Sequence, residues 1–289
     1  MSQSAAVLAG AAVVHVNLPA AESEVLPGVL WGAVDAFPTP AYWTYQVMAR
    51  RICGTSPRYR LGTTLAEEVS ACLLGGHGIP AEVGVAAFRR LQGLGVLSST
   101  PSESKLLDLL SQPIDLNGRP IRYRFAGQKA RYLSCALSLL SAERPPEHNG
   151  RGLRDWLLQI PGVGYKTASW IARNWLDADD VAILDIHILR AGALSRFFDD
   201  RLTVERDYVE LEAQFLRFAA AIGVKASELD AVMWLEMMSS PRSVAQLMGG
   251  SRTGVRPTRR QDQDEAVHAL PRRAADKGSS NPRQARLIE

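Results

Sequence analysis

The chain has 289 residues, of which 46% are hydrophobic, and its formal net charge at pH 7 is +3. This length and composition can bury a sizeable core, as one large domain or as two smaller lobes. The sequence shows no long apolar span and no charged-then-apolar leader. We therefore expect a cytoplasmic protein without a membrane-spanning segment.

The positive charge is concentrated at the C-terminal end of the sequence. From Pro241 onward, ten Lys and Arg stand against five Asp and Glu, a charge of +5, which leaves −2 (+3 minus +5) for the remainder. The composition of residues 241–289 predicts a mobile basic tail. Any DNA affinity of the preceding part must then come from a local basic patch or from backbone amides.

The three cysteines are Cys53, Cys72 and Cys135, and they lie far apart without a Cys-x-x-Cys pair. This spacing argues against a zinc site and against an iron–sulfur cluster. We interpret all three as reduced core residues, and we expect no required cofactor.

Residues 1–36 give conflicting signals and are predicted to be an arm of uncertain structure. Val13 to Val16 have the composition of a strand, whereas the alanines around them favour a helix or an unstructured arm. The body, residues 37–240, has few strand signals and is predicted to be almost entirely helical. Its predicted helices cover residues 41–52, 64–74, 82–91, 99–110, 130–140 and 204–222, and another begins at 227 or 228.

A glycine-rich loop follows the second of these helices, at residues 75–80. Gly75, Gly76 and Gly78 supply three glycines in four residues, with His77 among them. Such a density of glycine indicates unusual backbone dihedrals or a close approach to a ligand.

The most informative stretch is 157–190, which is predicted to form a helix, a tight turn, a second helix and a segment led by Asp185. Pro161 ends the first helix, and Gly162 and Gly164 permit a sharp turn that carries no side chains. The second helix follows at once. The backbone N–H groups at such a helix start form a ready site for a phosphate.

Lys166 comes just after this turn, and Asp185 follows nineteen residues later. The run Pro161-Gly162-Val163-Gly164 with Lys166 and Asp185 resembles the helix-hairpin-helix DNA glycosylases that also cleave the DNA strand. The nearest branch is the compact 8-oxoguanine glycosylases of archaea and some bacteria. The resemblance extends more weakly from about Glu67 to Trp234. Further segments that carry it are 154–157, Ala168-Ser169, Arg173-Asn174 and 183–190.

This resemblance implies an all-α, two-lobed helix-hairpin-helix fold with the active site in the cleft between the lobes. In that family a lysine just after the hairpin attacks the sugar and an aspartate assists, which gives Lys166 and Asp185 catalytic roles. The alternatives are a phosphate contact for Lys166 and a helix N-cap for Asp185.

The resemblance also implies a set of DNA-binding residues, namely Gly162, Gly164, His187, Lys129 and His77. His77 would enter the duplex where the damaged base has left, although it is also compatible with a simple loop tip. The hairpin glycines and His187 would contact backbone phosphates.

Two further sites follow from the resemblance. Phe125 and Trp234 would stack on either side of the extruded base, with core packing as the alternative for each. The carbonyl oxygens of Leu158, Ile160 and Val163 would hold a monovalent or calcium ion, because hard cations prefer oxygen ligands.

The implied function is excision of a modified base from double-stranded DNA, with lysine-dependent cleavage at the abasic site, by a monomer associated with the nucleoid. 8-Oxoguanine is the first choice of substrate. His77 stands where the family has an amide side chain, and Glu236 follows Trp234 where the family has aromatic and basic residues. These departures leave another modified base open, for example a hypermodified base of foreign DNA. A non-enzymatic helix-hairpin-helix DNA-binding module is the remaining alternative.

Overall fold

A computed structural model gives the fold, and the structure describes residues 2–55, 59–76 and 78–250. Most of these residues are helical, which confirms the prediction of a helical body. The helices are α1 (Pro40–Ile52), α2 (Leu65–Leu74), α3 (Ala81–Gly93), α4 (Glu103–Ser111), α5 (Ala126–Ala142), α6 (Gly150–Leu157), α7 (Tyr165–Leu176), α8 (Ile186–Leu194), α9 (Val204–Ala221), α10 (Ala226–Ser239) and α11 (Pro241–Gly250), with a short 3-10 helix at Val96–Ser98.

Three short antiparallel hairpins accompany the helices and were not predicted. Their strands are β1 (Gln3–Ala9) with β2 (Ala12–Leu18), β3 (Glu24–Leu26) with β4 (Val29–Leu30), and β5 (Ile114–Leu116) with β6 (Arg119–Ile121). The helix or unstructured arm expected before residue 36 was therefore wrong. Val7, Val16 and Leu18 are buried, so alternate residues of the first hairpin face the protein and outweigh the low strand preference of alanine.

The helix boundaries follow local capping signals. Thr39 accepts a hydrogen bond from the Tyr42 amide at 3.1 Å at the start of α1. Thr64 accepts one from the Glu67 amide at 3.2 Å at the start of α2. Side-chain oxygens at these positions satisfy amides that have no partner within the helix.

The predicted tail boundary at Pro241 was also wrong. Pro241–Gly250 form α11, and Val244 on this helix is 4% exposed. Proline is tolerated at the first position of a helix, where its missing N–H is not needed. The rest of the predicted tail, 251–289, lies outside the described residues.

Two hydrophobic cores organise the body. The first contains buried side chains between Leu65 and Val181, from α2 to α7. The second joins both ends of the described chain, from β1 through α1 and from Ala182 through α11. The backbone passes from one core to the other between Val181 and Ala182. None of the described helices combines the length and apolar content needed to cross a bilayer.

Candidate active site

The segment that crosses between the cores, residues 181–185, is buried and belongs to no helix or strand. Its backbone amides are hydrogen-bonded by side chains. The amide of Ala182 donates to Glu212 Oε1 at 3.0 Å, and the amide of Ile183 donates to Asp230 Oδ2 at 3.3 Å. The amide of Leu184 donates to the Tyr208 hydroxyl at 3.1 Å, and that hydroxyl donates to the Ala182 carbonyl at 2.8 Å. Since buried amides need partners, these side chains of α9 and α10 fix the path of the backbone.

Asp185 ends this segment and caps α8. Its Oδ1 accepts hydrogen bonds from the amides of His187 at 2.9 Å and Ile188 at 3.0 Å. Its other oxygen, Oδ2, has no hydrogen bond to any residue in the described part of the chain. The side chain is 8% exposed and lines a pocket. Asp185 is therefore the N-cap of α8, a role that can coexist with a catalytic one, because the cap engages only one of its two carboxylate oxygens.

The pocket lies where the two cores meet. Cys72 of the first core and Trp234 of the second both line it, together with Asp185. Its cavity volume is about 60 Å³. Its other lining residues are Tyr59, Leu61, Glu68, Ala71, Gly75, Ala81, Gly84, Val85, Trp170, Arg173, Asn174, Ile183, Asp230 and Ala231.

Lys166 lies in the first turn of α7 and is half-buried. Trp170, Arg173 and Asn174, which follow it by four, seven and eight residues, line the pocket. Because residues at these spacings share a helix face, Lys166 extends that pocket-facing stripe toward the N-terminus of α7. Among the described residues, its amine has no hydrogen-bond or ion-pair partner.

The turn before α7 requires glycine at position 162, as predicted. Gly162 has φ = +85°, and a Cβ there would lie 2.2 Å from the ring of Tyr132. Gly164 is the N-cap of α7, and no side chain caps this helix. Both glycines are exposed. The start of α7 therefore offers backbone amides to an anion, as the sequence suggested.

Of the two predicted base-stacking residues, only Trp234 is among the residues that line the pocket. Trp234 lines the pocket, is 9% exposed, and meets the ring of His187 edge-on at 6.3 Å. Phe125 is 39% exposed, lies outside the pocket lining, and has a left-handed backbone with φ = 65°. The pocket instead takes a second tryptophan, Trp170, which the sequence reading missed. Its position four residues after Lys166 was the available signal.

The remaining predicted DNA-binding residues are Lys129, His187 and His77. The Nζ of Lys129 donates to the carbonyl of Gly75 at 3.0 Å, and burial lowers the pKa of Lys129. Gly75 lines the pocket, so Lys129 ties α5 to the glycine-rich loop. His187 is buried, so a phosphate contact for it stays a prediction. His77 lies outside the described residues.

Buried polar residues at the pocket form a network that the sequence reading also missed. Glu68 accepts hydrogen bonds from Asn174 and from the amides of Leu61 and Gly62, each at 2.8 Å. Separately, Asp230 pairs with Arg173 of α7. The signal for such residues is a charge on an otherwise apolar helix face.

The carbonyl oxygens predicted to hold an ion lie at the end of α6 and in the turn that follows it. The carbonyl of Ile160 accepts a hydrogen bond from the Val163 amide at 3.0 Å, which leaves it one further lone pair.

Cys72 is buried, and burial raises the pKa of its thiol. Cys53 and Cys135 are exposed, so the core interpretation of these two was wrong. Within the described residues, no group of three or more His, Cys, Asp or Glu is arranged to hold a metal.

Comparison with known proteins decides the family. The family model for 8-oxoguanine DNA glycosylase, Ogg-HhH, matches residues 61–224, which is more than half of the chain. The chain belongs to this family. Lys166 and Asp185 lie inside the matched residues, whereas Asp230 and Trp234 lie beyond them.

Two curated relatives carry the name 8-oxoguanine DNA glycosylase/AP lyase. The protein of Metallosphaera sedula is 32% identical over 155 residues, which cover 52% of this chain and 72% of that relative. The protein of Methanocaldococcus jannaschii is 31% identical over 133 residues, which cover 44% of this chain and 64% of that relative. The crystal structure of the M. jannaschii 8-oxoguanine DNA glycosylase is 27% identical, with a TM-score of 0.45, and covers 61% of this chain and 78% of that one.

Proposed function

We propose that this protein excises a modified base, in the first place 8-oxoguanine, from double-stranded DNA and then cleaves the strand at the abasic site. The observation that carries the proposal is that Asp185 lines a pocket whose wall is formed in part by α7. Lys166 is not itself among the lining residues, but it lies one turn before Trp170 on the same face of that helix. Family membership and the names of the relatives support the same activity.

The pocket suits a base that has been rotated out of the duplex. An enzyme that works on a base within a duplex must extrude it, at a cost of a few kcal/mol. Stacking on an aromatic ring returns about 1–3 kcal/mol per base. Trp234 and Trp170 line the pocket and supply such rings.

Lys166 is the proposed nucleophile. The lone pair of its unprotonated amine attacks the sugar C1′, the glycosidic bond breaks, and the bonding electrons leave with the base, which takes up a proton. The nitrogen then gives up a proton and the C1′–O4′ bond opens, with a proton taken up by O4′, which leaves an imine between Lys166 and C1′. This imine acidifies the C2′ proton. Loss of that proton expels the 3′ phosphate oxygen, so the strand is cleaved without any cofactor.

Asp185 is the proposed assistant. Its Oδ1 is engaged by two amides of α8, which hold the carboxylate at the pocket. Its Oδ2 then stabilises positive charge that develops on the sugar, or moves a proton to or from Lys166. Structural and chemical roles are divided between the two oxygens of one side chain.

The proposed DNA contact uses the uncapped start of α7. The exposed glycines Gly162 and Gly164 allow a phosphate to approach the backbone amides there. We also propose that the carbonyls of Leu158, Ile160 and Val163 hold a monovalent or calcium ion, and that the protein acts as a monomer.

A second substrate is favoured by the end of α10. Glu236 there hydrogen-bonds Tyr42 at 2.9 Å and pairs with Arg50 at 2.6 Å, so it belongs to the contact with α1. The chain then continues into α11. Base-reading groups supplied by this region in similar proteins are therefore replaced here, and excision of another modified base by the same chemistry is the alternative.

Borohydride trapping tests the proposal. The wild type with a duplex carrying 8-oxoguanine opposite cytosine should form a covalent protein–DNA adduct, because borohydride reduces the imine. Lys166→Gln should form none while still binding the duplex. Lys105→Gln, on the exposed side of α4, is the matched control and should trap normally. Trapping by Lys166→Gln at the wild-type level would place the nucleophile elsewhere, and trapping only on duplexes with other bases would overturn the substrate alone.

A further inference from the structure

Asp230 lies at the junction of three elements that the proposed reaction uses. It belongs to α10, which carries Trp234 one turn later. Its Oδ1 accepts a hydrogen bond from Arg173 Nη1 at 3.1 Å, on the helix that carries Lys166. Its Oδ2 accepts one from the amide of Ile183, two residues before Asp185.

The pair is buried and is not arranged for maximal stability. The side chains of Arg173 and Asp230 are 11% and 2% exposed. Arg173 Nε is buried and has no hydrogen-bond partner among the described residues. A buried ion pair is often no more stabilising than apolar packing would be. We therefore expect this pair to fix one arrangement of the groups around it.

We propose that Asp230 is a positioning residue, whose carboxylate holds the segment that carries Asp185 against the helix that carries Lys166. This inference rests on the proposed excision and strand cleavage. It adds a residue outside the part of the chain that the family model matches.

The charges around Asp230 make its role depend on pH. Arg173 faces it from α7, Tyr59 lies against Arg173, and the carboxylates of Asp179 and Asp185 lie nearby. Burial raises the pKa of Asp230 to about 6, against the opposing effect of Arg173 and with the help of both carboxylates. As pH falls through about 6, Asp230 becomes neutral and its ion pair with Arg173 is lost.

The test compares Asp230→Asn with the wild type in single-turnover excision at saturating enzyme, from pH 5 to pH 8. Above about pH 7 the variant should be about tenfold to hundredfold slower, the scale for a small misplacement of catalytic groups. Below about pH 6 the wild-type advantage should shrink, because protonated Asp230 is neutral like Asn. The ratio of the two rates is the quantity to compare, because effects of pH that the two proteins share cancel in it.

Glu228→Gln is the matched control, since Glu228 lies on the same helix and pairs with Arg51 on α1. It should keep the wild-type rate within about twofold, as substitutions away from the site usually do. An Asp230→Asn rate within twofold of the wild type at pH 7.5, or a rate ratio that does not change with pH, overturns the proposal.

Two further measurements separate this inference from folding and from the proposed function. If Asp230→Asn has no cooperative melting transition, Asp230→Glu takes its place in the test, because it keeps the charge but displaces it by one methylene. A wild-type rate for Asp230→Glu would then overturn the proposal. If the wild type itself excises nothing, NMR of the Ile183 amide decides. Its signal should titrate near pH 6 in the wild type and not in Asp230→Asn, and a flat signal in both overturns the inference.

Discussion

Asp185 combines a helix cap and a proposed catalytic group, and two substitutions separate these functions. Asp185→Asn keeps an oxygen that can accept from the amides of His187 and Ile188, which the present Oδ1 does at 2.9 and 3.0 Å. Asp185→Ala removes both oxygens. Asn and Asp are equally good N-caps, whereas Ala costs about 0.5–2 kcal/mol.

The expected rates and stabilities follow from this difference. Both variants remove the negative charge at the pocket, so both should slow single-turnover excision by about 10²–10⁴-fold, the range for acid–base and electrostatic groups. Only Asp185→Ala should also lower the melting temperature, by about 2–4 °C for each kcal/mol lost in a domain of this size. Asn149→Ala, which removes the cap of α6, is the control for loss of a cap without loss of the charge.

Two results would refute the reasoning. Near-normal excision by Asp185→Asn would remove the carboxylate charge from the chemistry and leave Asp185 as a cap. Equal melting temperatures for the Asn and Ala variants would show that the two amide hydrogen bonds contribute nothing measurable to stability.

Three further predictions concern the turn, the pocket and pH. Gly162→Ala should destabilise the protein by about 1–3 kcal/mol in chemical unfolding, because of φ = +85° and the tyrosine ring 2.2 Å from the new Cβ, whereas Gly164→Ala, with nothing within 4 Å, should not. Trp234→Ala should slow excision about tenfold to hundredfold, from 1–3 kcal/mol of stacking, and Phe125→Ala should have the smaller effect because it lies outside the pocket. The raised pKa of Asp230, about 6 against 3.8, means that the folded protein holds this proton more tightly. Relative to Asp230→Asn, the unfolding free energy of the wild type should therefore fall as pH rises from about 4 to about 6.

The hairpin and its lysine were predictable because their signals are local. Gly162 lies at a positive φ that favours glycine. Pro161 precedes it, but the first hairpin helix already ends at Leu157, so the prediction that Pro161 ends that helix was wrong by a few residues. Asp185 was predictable both as a cap and as a pocket residue, because its spacing from Lys166 matches a known pattern. Each of these inferences rests on a local turn signal or on a known spacing.

The supports of Asp185 were not predictable in the same way. Tyr208 and Glu212 bond the crossing segment from 24 and 30 positions away, and Asp230 does so from 47. In sequence, Tyr208 and Glu212 are polar residues in an amphipathic helix, where a solvent-facing position is the ordinary interpretation. Asp230 lies in α10, which has no separate polar face to indicate its environment. The first hairpin was missed for a different reason, since the low strand preference of its alanines outweighed the strand composition of Val13 to Val16.

The crossing between Val181 and Ala182 explains why the pocket needs polar supports at all. Lys166 belongs to a helix of the first core, and Asp185 begins a helix of the second, so their separation depends on how the two cores pack. Apolar contacts stabilise that packing, but the hydrophobic effect is not directional. Apolar contacts alone therefore do not fix how one core is placed against the other.

Two buried ion pairs provide directional interactions between the two cores. Arg154 of α6 pairs with Glu212 at 2.9 Å, and Arg173 of α7 pairs with Asp230 at 3.1 Å. Both arginines lie on helices of the first core, both acids lie on helices of the second, and each acid also accepts an amide of the crossing segment. A shift of one core against the other would break an ion pair and a backbone hydrogen bond together. These two pairs therefore tie helices of the first core, including the one that carries Lys166, to the segment that ends at Asp185.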